Sequence, residues 1–276
     1  MAWLGQEVLL EELLFKTKHG LIDQSLHSRM GAETTNGDGF GLGWYGAGVG
    51  PGVYHSVAPA WGDANLRELA AHIESRLFLA HVRATSGTAV QETNCHPYRH
   101  REWLFVHNGV VGDFRTLHRD LVLAVNPELF PSIRGSTDSE VLFHLALTFG
   151  LQEDPIGALE AAIGLVEETA RRHGLEPAIQ ASIGVSDGSR LWAVRYATHA
   201  PARTLFASVD VASVKRLHPD NPRLQQMRDG DRLVVSEPLV DLPGAWHEIP
   251  EQSAVIVEHG GGLEHRPFAP HVAEPV

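Results

Sequence analysis

Asn108 and Gly109 stand at the end of an apolar stretch, WLFVH (103–107). A side-chain amide and a neighbouring peptide N–H that point one way can stabilise the oxyanion of an acyl-transfer intermediate. Asn-Gly is also a common turn, so the pair alone decides nothing. Arg83 ends another apolar stretch, LFLAHVR (77–83). An arginine there is either a surface charge or a rigid fork for a carboxylate. Asp138, in STDSE (136–140), falls in the first turn of an expected helix, where capping competes with holding an ammonium group. Each signal is bland by itself. Together they offer a cation for a carboxylate, an anion for an ammonium and donors for an oxyanion. That set suits an α-amino acid with a scissile amide, and glutamine is the obvious candidate.

Other chemistries find less support. The chain has 17 histidines but neither H-E-x-x-H nor a zinc-finger spacing, so no metal is expected. His96 and His100 are four apart, yet Pro97 argues against a helix that would align them. The glycine-rich run NGDGFGLG (36–43) falls one residue short of a dinucleotide loop and leads into a strand, so its glycines read as turn and packing positions. The single cysteine, Cys95, excludes an internal disulfide and a multi-cysteine zinc site. It lacks an evident activator and reads as structural.

The elements that must position these residues follow from periodicity. A short helix is expected over 8–15, from Leu9, Leu10, Leu13 and Leu14 at helical spacing. Asn65 opens an amphipathic helix to about Arg76, with strands expected at 77–83 and 103–107. Asp113 reads as the N-cap of a helix through about Val125. Thr137 and Glu140 make a capping box ahead of VLFHLALTF, and Asp154-Pro155 starts a helix ending near Gly174. ASIGVS and LWAVRY flank Asp187-Gly188 as a hairpin, and TLFASV, RLVVS and SAVIVE follow as strands. Strands and helices in blocks argue for an α+β fold or layered sandwich rather than a doubly wound sheet. One domain is expected over 1–265, with 266–276 as a C-terminal tail.

Composition narrows the partners. Hydrophobic residues make up 43% of the 276 and charged residues 20%, which is globular rather than disordered. The net charge of −12 argues against nucleic acid and anionic membranes, and no apolar run is long enough for a transmembrane helix. The N-terminal stretch lacks a basic leader, and with one cysteine the expected location is the cytoplasm.

The segments DQSLHSRMGAETTNGDGFGLGWY (23–45), LFLAHVRATSG (77–87), NCHPYRHREWLFVHNG (94–109) and STDSEVLF (136–143) resemble the class II glutamine amidotransferases, and most closely their stand-alone bacterial branch. The resemblance implies an N-terminal-nucleophile hydrolase fold, a four-layer αββα sandwich of two antiparallel sheets. It implies that Arg83 binds the glutamine α-carboxylate, that Asn108 and Gly109 form the oxyanion hole, and that Asp138 holds the α-amino group. Thr85 and Ser86 fall where the family's loop lines the pocket, and His96 lies in a stretch expected to give structural support. No cofactor is implied, and ammonia transfer would need a separate synthase chain.

The family's nucleophile is a cysteine directly after the initiator methionine, with its own α-amine as general base. Family members open with something like Met-Cys-Arg-Trp-Leu and then a stretch resembling AWLGQ. Here Met1 is followed directly by AWLGQ (2–6). The resemblance therefore implies that the nucleophile sits on a segment ahead of Met1, and that the reaction is hydrolysis of glutamine through a cysteine thioester. Two alternatives remain: an amidase for another γ-glutamyl compound, as in ergothioneine synthesis, and an inactive glutamine-binding or partner-binding protein.

Overall fold

The strongest apolar runs become strands buried on both faces, because each sheet is covered by helices on one side and by the other sheet on the other. The computed structural model describes residues 1–273 except Ala32, Ser86 and Ala200, with Arg223 described by its backbone alone. In chain order the strands are β1 (Ala2–Leu9), β2 (Phe40–Trp44), β3 (Gly52–Ser56), β4 (Glu74–Val82), β5 (Tyr98–His100), β6 (Trp103–Val111), β7 (Ile179–Ser186), β8 (Leu191–Ala197), β9 (Phe206–Ser208), β10 (Arg232–Val235), β11 (Trp246–Glu248), β12 (Ser253–Val257) and β13 (Leu263–Pro267). They form two antiparallel sheets, ordered β11-β9-β10-β1-β4-β2-β3 and β13-β12-β8-β7-β6-β5.

Ala2, Leu4, Leu77, Leu79 and Val234 of the first sheet meet Leu104, Val106, Leu191, Ala193 and Val255 of the second. The outer face of the first sheet carries α1 (Leu10–Leu14), α2 (Leu21–Leu26) and α3 (Ala64–His72) over Trp3, Phe40, Phe78 and Ala80. The outer face of the second carries α4 (Phe114–Leu123), α5 (Asp138–Thr148) and α6 (Pro155–Arg172) over Phe105, Ile183 and Val194. The architecture is thus a four-layer αββα sandwich, as expected.

Local signals hold where the residue itself makes the bond. Thr137 accepts from the Glu140 N–H at 3.1 Å, and Asp154 caps α6 through the Gly157 N–H at 3.2 Å. The Glu140 carboxylate, however, serves Arg134 and Gly135 rather than closing a reciprocal box. Three expectations give way to tertiary pairing. The short helix expected over 8–15 forms over Leu10–Leu14, while Val8 and Leu9 instead end β1, paired with Ser75 and Glu74 of β4. Strand β6 does not stop at Asn108-Gly109, because β7 pairs it as far as Val111. Asp113 takes φ +50° and makes no side-chain cap. At the C-terminus, expected as a tail from 266, Arg266 and Pro267 finish β13, and Phe268 is buried against Tyr196.

Candidate active site

At one end of the inter-sheet space lies a cavity lined by Met1, His81, Arg83, Thr85, His96, His107, Asn108, Gly109 and Asp138, with Ser182, Arg203 and Glu237 also on its walls. Strand pairing explains how these residues converge. On β6, Leu104 and Val106 face the inter-sheet layer, so Asn108 faces it too by the period of two. The Gly112 N–H turns toward β7, bonding Ala178 O, whereas the Val111 N–H turns the other way, to Asp138 Oδ2 at 2.8 Å. Antiparallel alternation then points the Gly109 N–H in the same direction as that of Val111, beyond the end of β5. Asn108 and Gly109 thus bring one amide side chain and one peptide donor to a shared edge. A Cβ at Gly109 would lie 2.0 Å from Gln180 O, so no side chain fits there.

Asp138 opens the first turn of α5, whose N-cap is Thr137. Its Oδ1 accepts from the Ser139 N–H at 2.8 Å and its Oδ2 from Val111, which ties the start of α5 to the edge of β6. With Ser139 Oγ also donating to Oδ1 at 3.2 Å, about one of the carboxylate's four or so acceptor positions is left open.

Arg83 is 5% exposed and meets only neutral acceptors. Nη1 donates to Asp38 O at 3.2 Å, and Nη2 to Thr85 Oγ1 at 3.3 Å, Thr88 Oγ1 at 2.6 Å and Ala89 O at 3.2 Å. No described carboxylate pairs with it. Every hydrogen-bond partner of this buried guanidinium among the described residues is a neutral oxygen. Thr85 positions Arg83 as well as lining the cavity, and its own N–H donates to Asp38 Oδ2 at 2.8 Å. Ser86 lies outside the described residues. Asp38 and Thr88 escaped the sequence reading, since nothing in the spacing of NGDGFG or SGT marks an arginine clamp.

Cys95 is buried away from this cavity, its Sγ 3.5 Å from Ser56 O, and burial pushes its thiol pKa up. It is not an activated nucleophile. His96 does face the cavity. Its ring packs on His81 and Tyr98, and neither ring nitrogen meets a protein partner. Burial, reinforced by neighbouring positive charge, pulls His81 down to about 3 and His96 well below the ordinary histidine range. Both are neutral at pH 7. The unfolded chain takes up these protons below about pH 6.5 and the folded chain does not, so stability is complete above that value and falls as pH drops toward 3. Urea midpoints should decline between pH 7 and 4, and His81→Asn should flatten the decline. An unaltered slope in that variant would remove His81 as a cause. Among the described residues no three His, Cys, Asp or Glu side chains gather as a metal site, and no helix is long and apolar enough to cross a membrane.

Comparison with known proteins bears on this geometry. A family model described as class-II glutamine amidotransferases matches residues 16–268. The chain belongs to this family. It is 31% identical to Probable glutamine amidotransferase DUG3 of Saccharomyces cerevisiae, over 92% of this chain and 79% of that protein. It is 30% identical to the γ-glutamyl-hercynylcysteine sulfoxide hydrolase of Mycolicibacterium smegmatis, over 93% and 94%. Among solved structures, a glutamine aminotransferase class-II domain protein from Silicibacter pomeroyi superposes with a TM-score of 0.74 at 34% identity, covering 98% of this chain and 97% of that one. The sandwich is accordingly that of an N-terminal-nucleophile glutamine amidotransferase.

Proposed function

We propose that this amidotransferase cavity hydrolyses a γ-glutamyl amide, glutamine in the simplest case, to glutamate and ammonia through a cysteine thioester, the cysteine lying ahead of Met1. The register of β1 carries this reading. Ala2 pairs with Leu79, and Met1 exchanges two 2.9 Å backbone bonds with Ala80. Continued backward, the next three residues would pair with His81, Val82 and Arg83 on one side. On the other side Ala2 pairs with Val234, so the first two would run along Ser236 and Glu237. All of these line the cavity. Ala2 and Leu4 face the inter-sheet layer, so by alternation the third residue back faces it as well. A Cys-Arg-Trp segment therefore puts its cysteine beside Arg83, turned toward Asn108.

In this mechanism Arg83 holds the α-carboxylate and Asp138 the α-ammonium, which sets the γ-carbonyl against the thiolate. Asn108 and the Gly109 N–H stabilise the oxyanion as the thiolate adds. The leaving amine departs with a proton from the ammonium of the cysteine. Water then cleaves the thioester, releasing glutamate and restoring the thiol. Ammonia is released or passed to a separate synthase chain.

A larger γ-glutamyl amide is the second reading, favoured by similarity to a protein named as a γ-glutamyl-hercynylcysteine sulfoxide hydrolase. Both readings need Arg83. Calorimetry on the 276-residue protein should show glutamine binding, and Arg83→Gln should weaken it by roughly tenfold or more, the worth of a charge-assisted pair. Equal affinity in the two proteins would remove Arg83 from the carboxylate.

A further inference from the structure

The Asp138 carboxylate is nearly full before a ligand arrives. The Val111 N–H occupies Oδ2 at 2.8 Å, and the Ser139 N–H and hydroxyl reach Oδ1 at 2.8 and 3.2 Å. A substrate ammonium brings three donors to what is left. The two peptide donors are fixed, one by strand β6 and one by the first turn of α5. The hydroxyl can rotate, and because Ser139 is buried it needs another acceptor to turn to.

His107 offers that acceptor. Its ring is buried beside Ser139 on the cavity wall, and its two nitrogens meet different partners. Nε2 lies 3.3 Å from Gln180 O, and Nδ1 lies 2.9 Å from Ser139 Oγ. Burial pulls the His107 pKa down from its ordinary value. The Asp138 charge opposes that shift and Arg203 adds to it, so the ring is neutral at pH 7. A neutral imidazole carries one hydrogen, and a carbonyl can only accept. Nε2 therefore holds the hydrogen against Gln180 O, and Nδ1 presents a bare lone pair to the hydroxyl. Ser139 Oγ thus has one hydrogen and two acceptors in reach among the described residues, Nδ1 being the nearer. The strand explains why the ring lies there. His107 and Gly109 share the helix-covered face of β6 with Phe105 and Val111. A Cβ at Gly109 would come 2.2 Å from Nε2, so the missing side chain makes room for the ring.

We propose that His107 is a positioning residue for the substrate ammonium: its Nδ1 takes the Ser139 hydroxyl hydrogen as the ligand enters, which frees a second acceptor position on Asp138. This rests on the reading of Asp138 as the group that holds the α-ammonium. The exchange makes and breaks hydrogen bonds alone. The hydroxyl turns from Oδ1 to Nδ1, and an ammonium N–H takes its place on Oδ1. His107 acts through Ser139 and takes no part in the attack on the amide.

Glutamine and glutaramate, which is glutamine without its α-amino group, isolate the ammonium. In calorimetry on the 276-residue protein, glutamine should bind about tenfold tighter or more, the scale of a charge-assisted hydrogen bond. In His107→Gln the amide nitrogen can still serve Gln180 O, but nothing stands at Nδ1, so the hydroxyl stays on Asp138. The preference for glutamine should fall by roughly fivefold or more, while the affinity for glutaramate holds. Adding Ser139→Ala to His107→Gln removes the competing hydroxyl and should restore the preference to within about twofold of wild type. Ser139→Ala alone should leave the preference in place. The proposal is overturned if His107→Gln keeps the preference, if it weakens both ligands equally, as a purely structural histidine would, or if the double variant stays as weak as the single one. Loss of the preference in Ser139→Ala alone overturns it too, since the hydroxyl would then support Asp138 rather than compete with the ligand. The wild-type protein separates the levels of inference. Equal affinity for glutamine and glutaramate there sinks the ammonium role of Asp138, and with it that of His107. Binding of neither ligand sinks the γ-glutamyl site as well.

Discussion

Adding Cys-Arg-Trp ahead of Met1, with the cysteine amine free, should produce a glutaminase or γ-glutamyl amidase whose turnover exceeds that of the 276-residue chain by on the order of 10⁶, the scale on which a catalytic nucleophile acts. The size follows from what the rest of the site already provides. Arg83, Asp138, Asn108 and Gly109 line one cavity, Arg83 just past β4, Asn108 and Gly109 together on β6, and Asp138 at the start of α5. What they lack among themselves is an attacking atom, because Cys95 is buried elsewhere with its thiol pKa raised. The strand register makes the expectation specific in length. Met1 pairs with Ala80, so a cysteine three residues earlier reaches Arg83 and faces the inter-sheet cavity. Adding two or four residues instead turns that cysteine to the opposite face of the sheet, and those variants should stay near background. Glutamate release measured for the three lengths tests this directly. Equal rates for all three, or for the extended and unextended chains, would refute both the register argument and the N-terminal nucleophile. An acyl-enzyme mass on the added cysteine would be the positive sign.

Asn108→Ala in the extended protein should lower kcat by about 10²–10³, the loss found when one oxyanion donor is removed. Asn108 lies on the inter-sheet face of β6 with Val106, and its backbone is fixed by pairing with Ser182, so truncation removes a donor without releasing the strand. The loss should fall on kcat rather than on ligand affinity, since the oxyanion exists only after attack. This separates Asn108 from Arg83, whose substitution acts on binding. A change in kcat below twofold would remove Asn108 from the oxyanion hole, and a change confined to KM would make it a ground-state contact.

The parts legible in the sequence are those in which a residue's own chemistry sets its surroundings. Thr137 and Asp154 cap helices because their side-chain oxygens reach N–H groups three residues on. The runs ASIGVS and LWAVRY become β7 and β8 because apolar stretches of that length need burial on both faces. Arg83, Asn108, Gly109 and Asp138 could be read as a set because carboxylate, oxyanion and ammonium recognition each calls for a particular residue type. Their motifs also resemble those of the family to which the chain belongs.

Other features depended on partners far away in the chain. Val8 and Leu9 fall within the helical pattern, yet β4 draws them into the end of β1, where long-range pairing outweighs local propensity. Asn108-Gly109 reads as a turn until β7, some 70 residues later, pairs straight through it. That pairing aims the Asn108 side chain and the Gly109 N–H. The clamp on Arg83 by Asp38 and Thr88 has no sequence signature, since it depends on which loops meet at one end of the sandwich. Residue types and local bonds were therefore fixed by sequence alone. Which of them face one cavity was decided only when two sheets stacked and brought distant strands into register.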